Sequence, residues 1–304
     1  MDTDFLSVDD LTPDELGSLL ELSSAVKADR GRYAGALAGR AVALIFEKPS
    51  TRTRVSFEIA ISSTGGHPVP LSSAELQLGR GETIEDTGRV LSRYVDAIVL
   101  RTFEQERLEA LARAATVPVV NALSDFEHPC QALADLLTVR EAKGSLAGKV
   151  FTYLGDGNNV THSLLLAGAK AGMHVRAATP PGFEPIPQIV DRARDIAAQT
   201  GGSAVVMNDP EEASRDADVL YTDVWASMGQ EAEAEERSLV FPAYALDQAK
   251  VDLAAPDVLV LLCLPAHRGQ EITDEVIDGP HSRVFDQAEN RMHTQKALLL
   301  RLLT

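Results

Sequence analysis

Cysteine is nearly absent from this 304-residue chain: only Cys130 and Cys263 occur, far apart in sequence. No disulfide framework and no short paired zinc spacing can be drawn from them, so reduced thiols in a cytoplasmic protein are expected. Basic residues are also few, 28 against 45 acidic ones, and the net charge is −17. Nucleic acid and anionic membrane surfaces need a basic footprint, which excludes both as expected partners. No apolar run approaches the length of a membrane span. The start, "MDTDFLSVDD", is acidic and lacks the apolar core of a secretory signal. The composition, 45% apolar and 24% charged, is that of a globular protein long enough for two domains.

Short apolar runs alternate with longer helical patterns. "TPDELGSLLELSSAV" opens with a capping box, Thr12 as cap, Pro13 at the first helical position and Glu15 at the third. "AVALIF" (41–46) reads as a buried strand, followed by a helix from about Ser50 that Gly65 and Gly66 terminate. "DAIVLR" and "VPVVNA" are further strands, and a long helix is expected from near His128 to Lys143. The pattern restarts after "KGSLAG" with the strands "KVFTYLG", "MHVRAAT", "SAVVM", "DVLYTD" and "DVLVLLCL", and it ends in the amphipathic helix "QAENRMHTQKALLLRLL". Such alternation predicts an α/β fold of two domains, each a mainly parallel sheet flanked by helices. The restart sets the boundaries at 1–143 and 144–286. Ligands of open α/β sheets bind at the carboxyl ends of strands, and the unusual segments follow strands here.

Ser50-Thr51-Arg52-Thr53-Arg54 opens a helix directly behind a strand, with Lys48 just before it. A helix N-terminus already carries partial positive charge, so added cations are disfavoured there unless an anion joins them. Hydroxyls, backbone N–H groups and guanidinium forks together suit a phosphate. The bland alternative is a solvated helix end with Arg54 paired to Glu58.

Other strand ends carry further candidates. His128 stands at a helix start with Gln131 one turn on, and a lowered pKa there would let a neutral imidazole donate to a carbonyl. Arg101 closes a strand. "LGDGNNV" resembles a dinucleotide turn poorly, since Val160 occupies the third glycine position; Asn158 and Asn159 instead offer amides at a helix start, suited to a carboxylate. Asp223 ends a strand before the Ser227-Met228-Gly229 turn and could pair with an amine. Cys263 precedes His267 by four residues, but Pro265 argues against a helix aligning them as a nucleophile–base pair.

"STRTR", "HPCQ", "DVWASMGQE", "CLP" and "AENRMHTQKALL" occur in this order along the chain, and over essentially its whole length it resembles the ornithine branch of the aspartate and ornithine carbamoyltransferases. The resemblance implies that the first domain binds carbamoyl phosphate, the second binds ornithine, and the C-terminal helix 287–304 packs back on the first. It assigns Ser50, Thr51, Arg52 and Thr53 to the phosphate, and Arg101, His128, Gln131 and Arg291 to the carbamoyl end. Gln77 would reach a neighbouring subunit's site in a homotrimer. Asn159, Asp223, Ser227 and Met228 would hold the α-amino and α-carboxylate groups of ornithine, with Cys263 and Leu264 near its side-chain amine. Arg101, His128, Asp223 and Cys263 would take part in the chemistry, with no metal or organic cofactor. The family pattern is commonly His-Cys-Leu-Pro, and Leu262 stands here in place of that histidine, for which altered packing or altered tuning of Cys263 is expected. Competing readings are carbamoylation of putrescine or aspartate, an NAD-dependent dehydrogenase built on "LGDGNN", and a non-catalytic ligand-binding homologue.

Overall fold

The computed structural model of the chain describes residues 4–72, 81–226 and 234–304. The described elements run α1 (Pro13–Ala28), β1 (Ala41–Phe46), α2 (Thr51–Ser62), β2 (His67–Ser72), α3 (Ile84–Leu91), β3 (Ala97–Arg101), α4 (Gln105–Ala114), β4 (Val119–Leu123) and α5 (Pro129–Lys143). They continue as β5 (Val150–Leu154), α6 (Asn159–Lys170), β6 (His174–Ala178), α7 (Pro187–Thr200), β7 (Ser203–Met207), α8 (Pro210–Ser214), β8 (Val219–Thr222) and α9 (Ala234–Val240). The last are α10 (Gln248–Leu253), β9 (Leu259–Leu262), α11 (Asp274–Ile277) and α12 (Val284–Leu303). The chain forms two compact units, Met1–Ala134 with Asn290–Thr304, and Asp135–Glu289. It passes from one to the other inside α5 and inside α12.

Each unit is built on one parallel sheet, as the alternating pattern implies. The first has strand order β2-β1-β3-β4 and the second β7-β6-β5-β8-β9. In the first, the chain leaves β1 for β2 on one side and returns to β3 on the other, so the loops after β1 and β3 diverge. In the second, the same reversal lies between β5 and β8. These are the topological switch points at which such sheets bind ligands. The C-terminal part of α12 packs within the first unit: Lys27 Nζ donates to Asn290 Oδ1 at 2.8 Å, and Arg301 Nη1 to the Glu15 carbonyl at 3.3 Å.

The capping box of α1 forms as read, with Thr12 Oγ1 accepting from the Glu15 N–H at 3.2 Å and Glu15 Oε2 accepting from the Thr12 N–H at 2.9 Å. β2 is a strand that apolar-run reading passes over, because "HPVPLS" carries two prolines. Pro68 and Pro70 are two apart, so their missing N–H groups fall on one side of the strand. As β2 is an edge strand, that side needs no partner.

Leu262, the departure from the family pattern, packs among Leu154, Leu220, Val260, Ile272, Val276 and Val284 in the apolar core of the second unit. Leu262 is thus a packed core residue at the end of β9. Replacing it by the family's imidazole puts a polar group into this core, which is expected to lower stability by about 1–3 kcal/mol. Leu262→His should reduce the urea midpoint at unchanged slope. A midpoint equal to that of the parent would take Leu262 out of the core.

Candidate functional site

In the first unit the chemistry-bearing residues follow β1, β3 and β4. Ser50 is the N-cap of α2, its Oγ accepting from the Thr53 N–H at 3.3 Å. Thr51 and Arg52 are exposed on the first turn, and Thr53 is fully buried. Arg291 of α12 donates from Nη2 to Thr53 Oγ1 at 2.7 Å, which joins the last helix to the α2 start. Arg101 closes β3 opposite Phe46 of β1. On its other side the pairing with β4 shifts between Leu100 and Arg101, so that Arg101 faces Leu123 and Ala122 is the extra residue. A bulge at this place re-aims the strand end.

His128 and Gln131 are both buried in the same unit, at and just inside the start of α5. Burial holds the His128 imidazole well below the usual histidine range, and the nearby Arg291 and Arg101 guanidinium groups push it further down. It is thus a neutral imidazole at physiological pH, from burial and neighbouring cations more than from the helix start. Two cations of the sequence cluster have other duties. Lys48 is buried against Asp125 and lies 4.2 Å from the centre of the Phe103 ring. Arg54 donates from Nε to Glu58 Oε1 at 2.7 Å, the bland helix pair. Cys130 is buried, and burial pushes its thiol up to about 12. Gln77 lies outside the described residues.

In the second unit the register Thr222↔Leu262 places Asp223 and Cys263 directly after neighbouring strand ends. Asn158 caps α6, its Oδ1 accepting from the Val160 and Thr161 N–H groups at 3.0 and 3.2 Å, while its Nδ2 donates to Asp223 Oδ2 at 3.0 Å. The helix-start N–H groups that a dinucleotide's pyrophosphate would use are therefore filled by the protein's own side chain. Asn159 is the first residue of α6 and is buried. Burial pushes the Asp223 carboxyl up to about 7; the Asn158 amide and the Val224 N–H lower it, and the Glu271 and Asp156 carboxylates raise it. Gly157 approaches the chain so closely that a Cβ there would lie 2.2 Å from the Pro185 nitrogen. Cys263 is buried and Leu264 half-buried, joined to Pro265 by a cis peptide bond. His267 is turned to Glu271, with Nδ1 3.7 Å from Glu271 Oε2. Ser227 and Met228 lie outside the described residues, among which no His, Cys, Asp or Glu cluster is arranged to hold a metal ion.

Several buried polar residues escaped sequence reading. Arg237, in the acidic run "AEAEERSL", donates to Asp156 Oδ2 at 2.7 Å and to the Trp225 carbonyl at 2.6 Å. Its guanidinium lies 5.0 and 5.6 Å from the Phe183 and Phe241 ring centres. A lone arginine among glutamates reads as surface, and nothing local marks it otherwise. Glu127, just before "HPCQ", accepts from the Ser7 hydroxyl and from the Val8 N–H at 3.1 Å, tying down the N-terminal segment.

Two family models match the chain: the carbamoyl-P binding domain of aspartate/ornithine carbamoyltransferase over residues 3–141, and the Asp/Orn binding domain over 147–302. Among curated relatives, an ornithine carbamoyltransferase of Parafrankia sp. is 62% identical over 302 residues, spanning 98% of this chain and 95% of the relative. That of Acidothermus cellulolyticus is 60% identical over 299 residues, spanning 98% and 96%. A solved ornithine carbamoyltransferase from Pyrococcus furiosus superposes with a TM-score of 0.95 at 54% identity, covering 97% of this chain and 95% of that one. With both halves matched and near-full-length relatives at this identity, the chain belongs to the aspartate/ornithine carbamoyltransferase family.

Proposed function

We propose that the protein transfers the carbamoyl group of carbamoyl phosphate to the δ-amine of L-ornithine, giving L-citrulline and phosphate, as a step towards arginine. The observation that carries this reading is the opposite charge of the buried candidate groups in the two units. Arg101 and Arg291 are buried cations near the α2 start in the first, and Asp223 is a buried carboxylate in the second. An anionic donor suits the one and an ammonium-bearing acceptor the other. Ser50, Thr51, Arg52 and Thr53 would hold the phosphate; Arg101, His128, Gln131 and Arg291 the carbamoyl group. Asn159, Asp223, Ser227 and Met228 would take the amino-acid end of ornithine, with Cys263 and Leu264 beside its amine. The neutral δ-amine attacks the carbamoyl carbon, and the oxyanion that develops meets Arg101, neutral His128 and Thr53. The bond to the phosphate oxygen then breaks with its electron pair, and the departing phosphate takes the amine's proton. Aspartate would bring a second carboxylate towards Asp223, and putrescine has no α-carboxylate for Asn159 to bind. Purified protein with both substrates should form citrulline; carbamoylation of aspartate or putrescine with no citrulline would overturn the assignment.

Asp223 gives this reading a pH signature. An α-ammonium binds the ionised carboxylate, and a carboxyl titrating near 7 is mostly protonated at pH 6. L-Norvaline, which lacks the δ-amine, isolates this group from the amine's own titration. Its affinity should rise about fivefold from pH 6 to pH 7 and level off above pH 8. Calorimetric affinities that stay flat across this range would show that Asp223 does not titrate there or does not meet the amine.

A homotrimer in the cytoplasm, with Gln77 completing a neighbour's site, is part of the same proposal. Val55 and Ile59, one turn apart on α2, are about half exposed, and Tyr94 beyond α3 is more so, apolar surface that suits a partner subunit. Arg52→Ala and Gln77→Ala should each impair activity, the former by at least about tenfold in carbamoyl phosphate affinity through lost charge-assisted bonds. Mixed oligomers of the two variants contain some sites with both native side chains and should regain activity. If mixed oligomers form and activity stays at the parental average, Gln77 does not act across subunits.

A further inference from the structure

β9 is one of the two edge strands of the second sheet, and its outward backbone groups need partners that no further strand supplies among the described residues. At Val260 the segment just before α12 supplies them: the Val260 N–H donates to the His281 carbonyl and the Arg283 N–H to the Val260 carbonyl, both at 2.9 Å. Two residues on, the next outward group is the Leu262 N–H, but by then the covering chain has turned into α12. Gln287 takes over with its side chain. Its Oε1 accepts from the Leu262 N–H at 3.0 Å. Its Nε2 donates to Asp135 Oδ1 on α5 at 2.6 Å and to the Tyr221 hydroxyl on β8 at 3.2 Å. Gln287, Asp135 and Tyr221 are all buried. A carboxamide is the side chain that meets this demand, with one acceptor for a backbone donor and two N–H groups for a carboxylate and a hydroxyl.

The location gives the network its use. Leu262 is the last residue of β9 and Cys263 follows it; Tyr221 stands two residues before Asp223. Gln131 lies one turn before Asp135 on α5, and Arg291 one turn after Gln287 on α12. We infer that Gln287 is a positioning residue: its amide completes the open edge of β9 and fixes the backbone leading into Cys263 against α5 and β8. This rests on the proposed reading of Cys263 and Leu264 as neighbours of the acceptor amine. The groups facing Gln287 are Asp135 from α5, Tyr221 from β8 and the Cys263 end of β9. On its own helix the charged neighbours are Asp286 and Glu289, both exposed, and Arg291, buried one turn on; the half-buried Arg283, just before the helix, lies 3.9 Å from Asp286.

Two substitutions test the inference. Gln287→Met keeps the length and removes all three bonds. It should raise KM for ornithine about tenfold, leave KM for carbamoyl phosphate within about twofold, and speed iodoacetamide labelling of Cys263 relative to Cys130 in the free protein. Gln287→Glu keeps an acceptor for the Leu262 N–H but sets a carboxylate against Asp135, so the pair must share a proton. Its defect relative to the parent should shrink as pH falls from 8 to 6.5. Equal changes in both KM values with an unaltered labelling ratio would reduce Gln287 to a packing residue and overturn the proposal. A glutamate variant whose defect ignores pH would overturn it too, and that variant carries the test alone if the methionine variant does not fold. The labelling ratio needs no turnover, so it separates failure of this inference from failure of the parent protein to form citrulline.

Discussion

Parallel pairing is the constraint on which the rest of this structure depends. A parallel sheet directs the carboxyl ends of all its strands to one edge, and a chain that reverses its strand order leaves a gap between two of the loops there. In the first unit the Phe46↔Arg101 register sets the approach to the α2 start beside the end of β3. In the second, Thr222↔Leu262 sets Asp223 beside Cys263, and Leu154↔Thr222 brings the Asn158 loop to the same edge. Residues far apart in sequence thus share a site because their strands share a register. A one-residue slip in β9 would turn Cys263 to the opposite face.

The buried ionic groups differ in what faces them. Lys48 has Asp125 and the Phe103 ring, and Arg237 has Asp156, the Trp225 carbonyl and two aromatic faces. These are structural pairs. Arg237 fastens the chain on either side of residues 226–236 to the loop after β5, although its sequence context is that of a solvated acidic helix. Asp223 differs, since its side chain accepts from the neutral amide of Asn158 and the charged groups that act on it, Glu271 and Asp156, are carboxylates.

Much of this was legible in the sequence because the two strongest signals, buried strand runs and the segments behind them, coincide with the sheets and their switch points. β1 and β7 fall on the apolar runs "AVALIF" and "SAVVM" residue for residue. β2 was lost because proline argues against strands in general, and only its edge position makes Pro68 and Pro70 harmless. Lys48 and Arg54 looked like members of the phosphate cluster because charge and spacing are visible in a sequence while partners are not; Asp125 is 77 residues away. Arg237 and Gln287 were invisible for the same reason. Each bonds to groups on several elements, and such a demand has no local pattern. The neutral state of His128 was anticipated, but its main cause is burial, which only the folded chain supplies.

The same burial gives Asp223 a definite direction of response. A carboxyl pushed up to about 7 binds its proton more tightly in the folded chain than in the unfolded one. Below the ordinary carboxylate range both states are protonated and this preference is fully present; it is lost as pH rises through about 7, so Asp223 opposes folding once it must ionise without a cation. On the proposed reading an incoming ammonium would reverse that balance by supplying a counter-charge, and this would tie acceptor binding to release of the proton that Asp223 carries. The donor side works with the opposite sign. Burial first, and then Arg291 and Arg101, hold His128 neutral, and on the proposed reading an arriving phosphate anion would offset the field of the two arginines. On the proposed reading each substrate would bring the charge opposite to the buried candidate groups it meets, and a substrate of the wrong sign would meet a desolvated like charge, not merely a weaker contact.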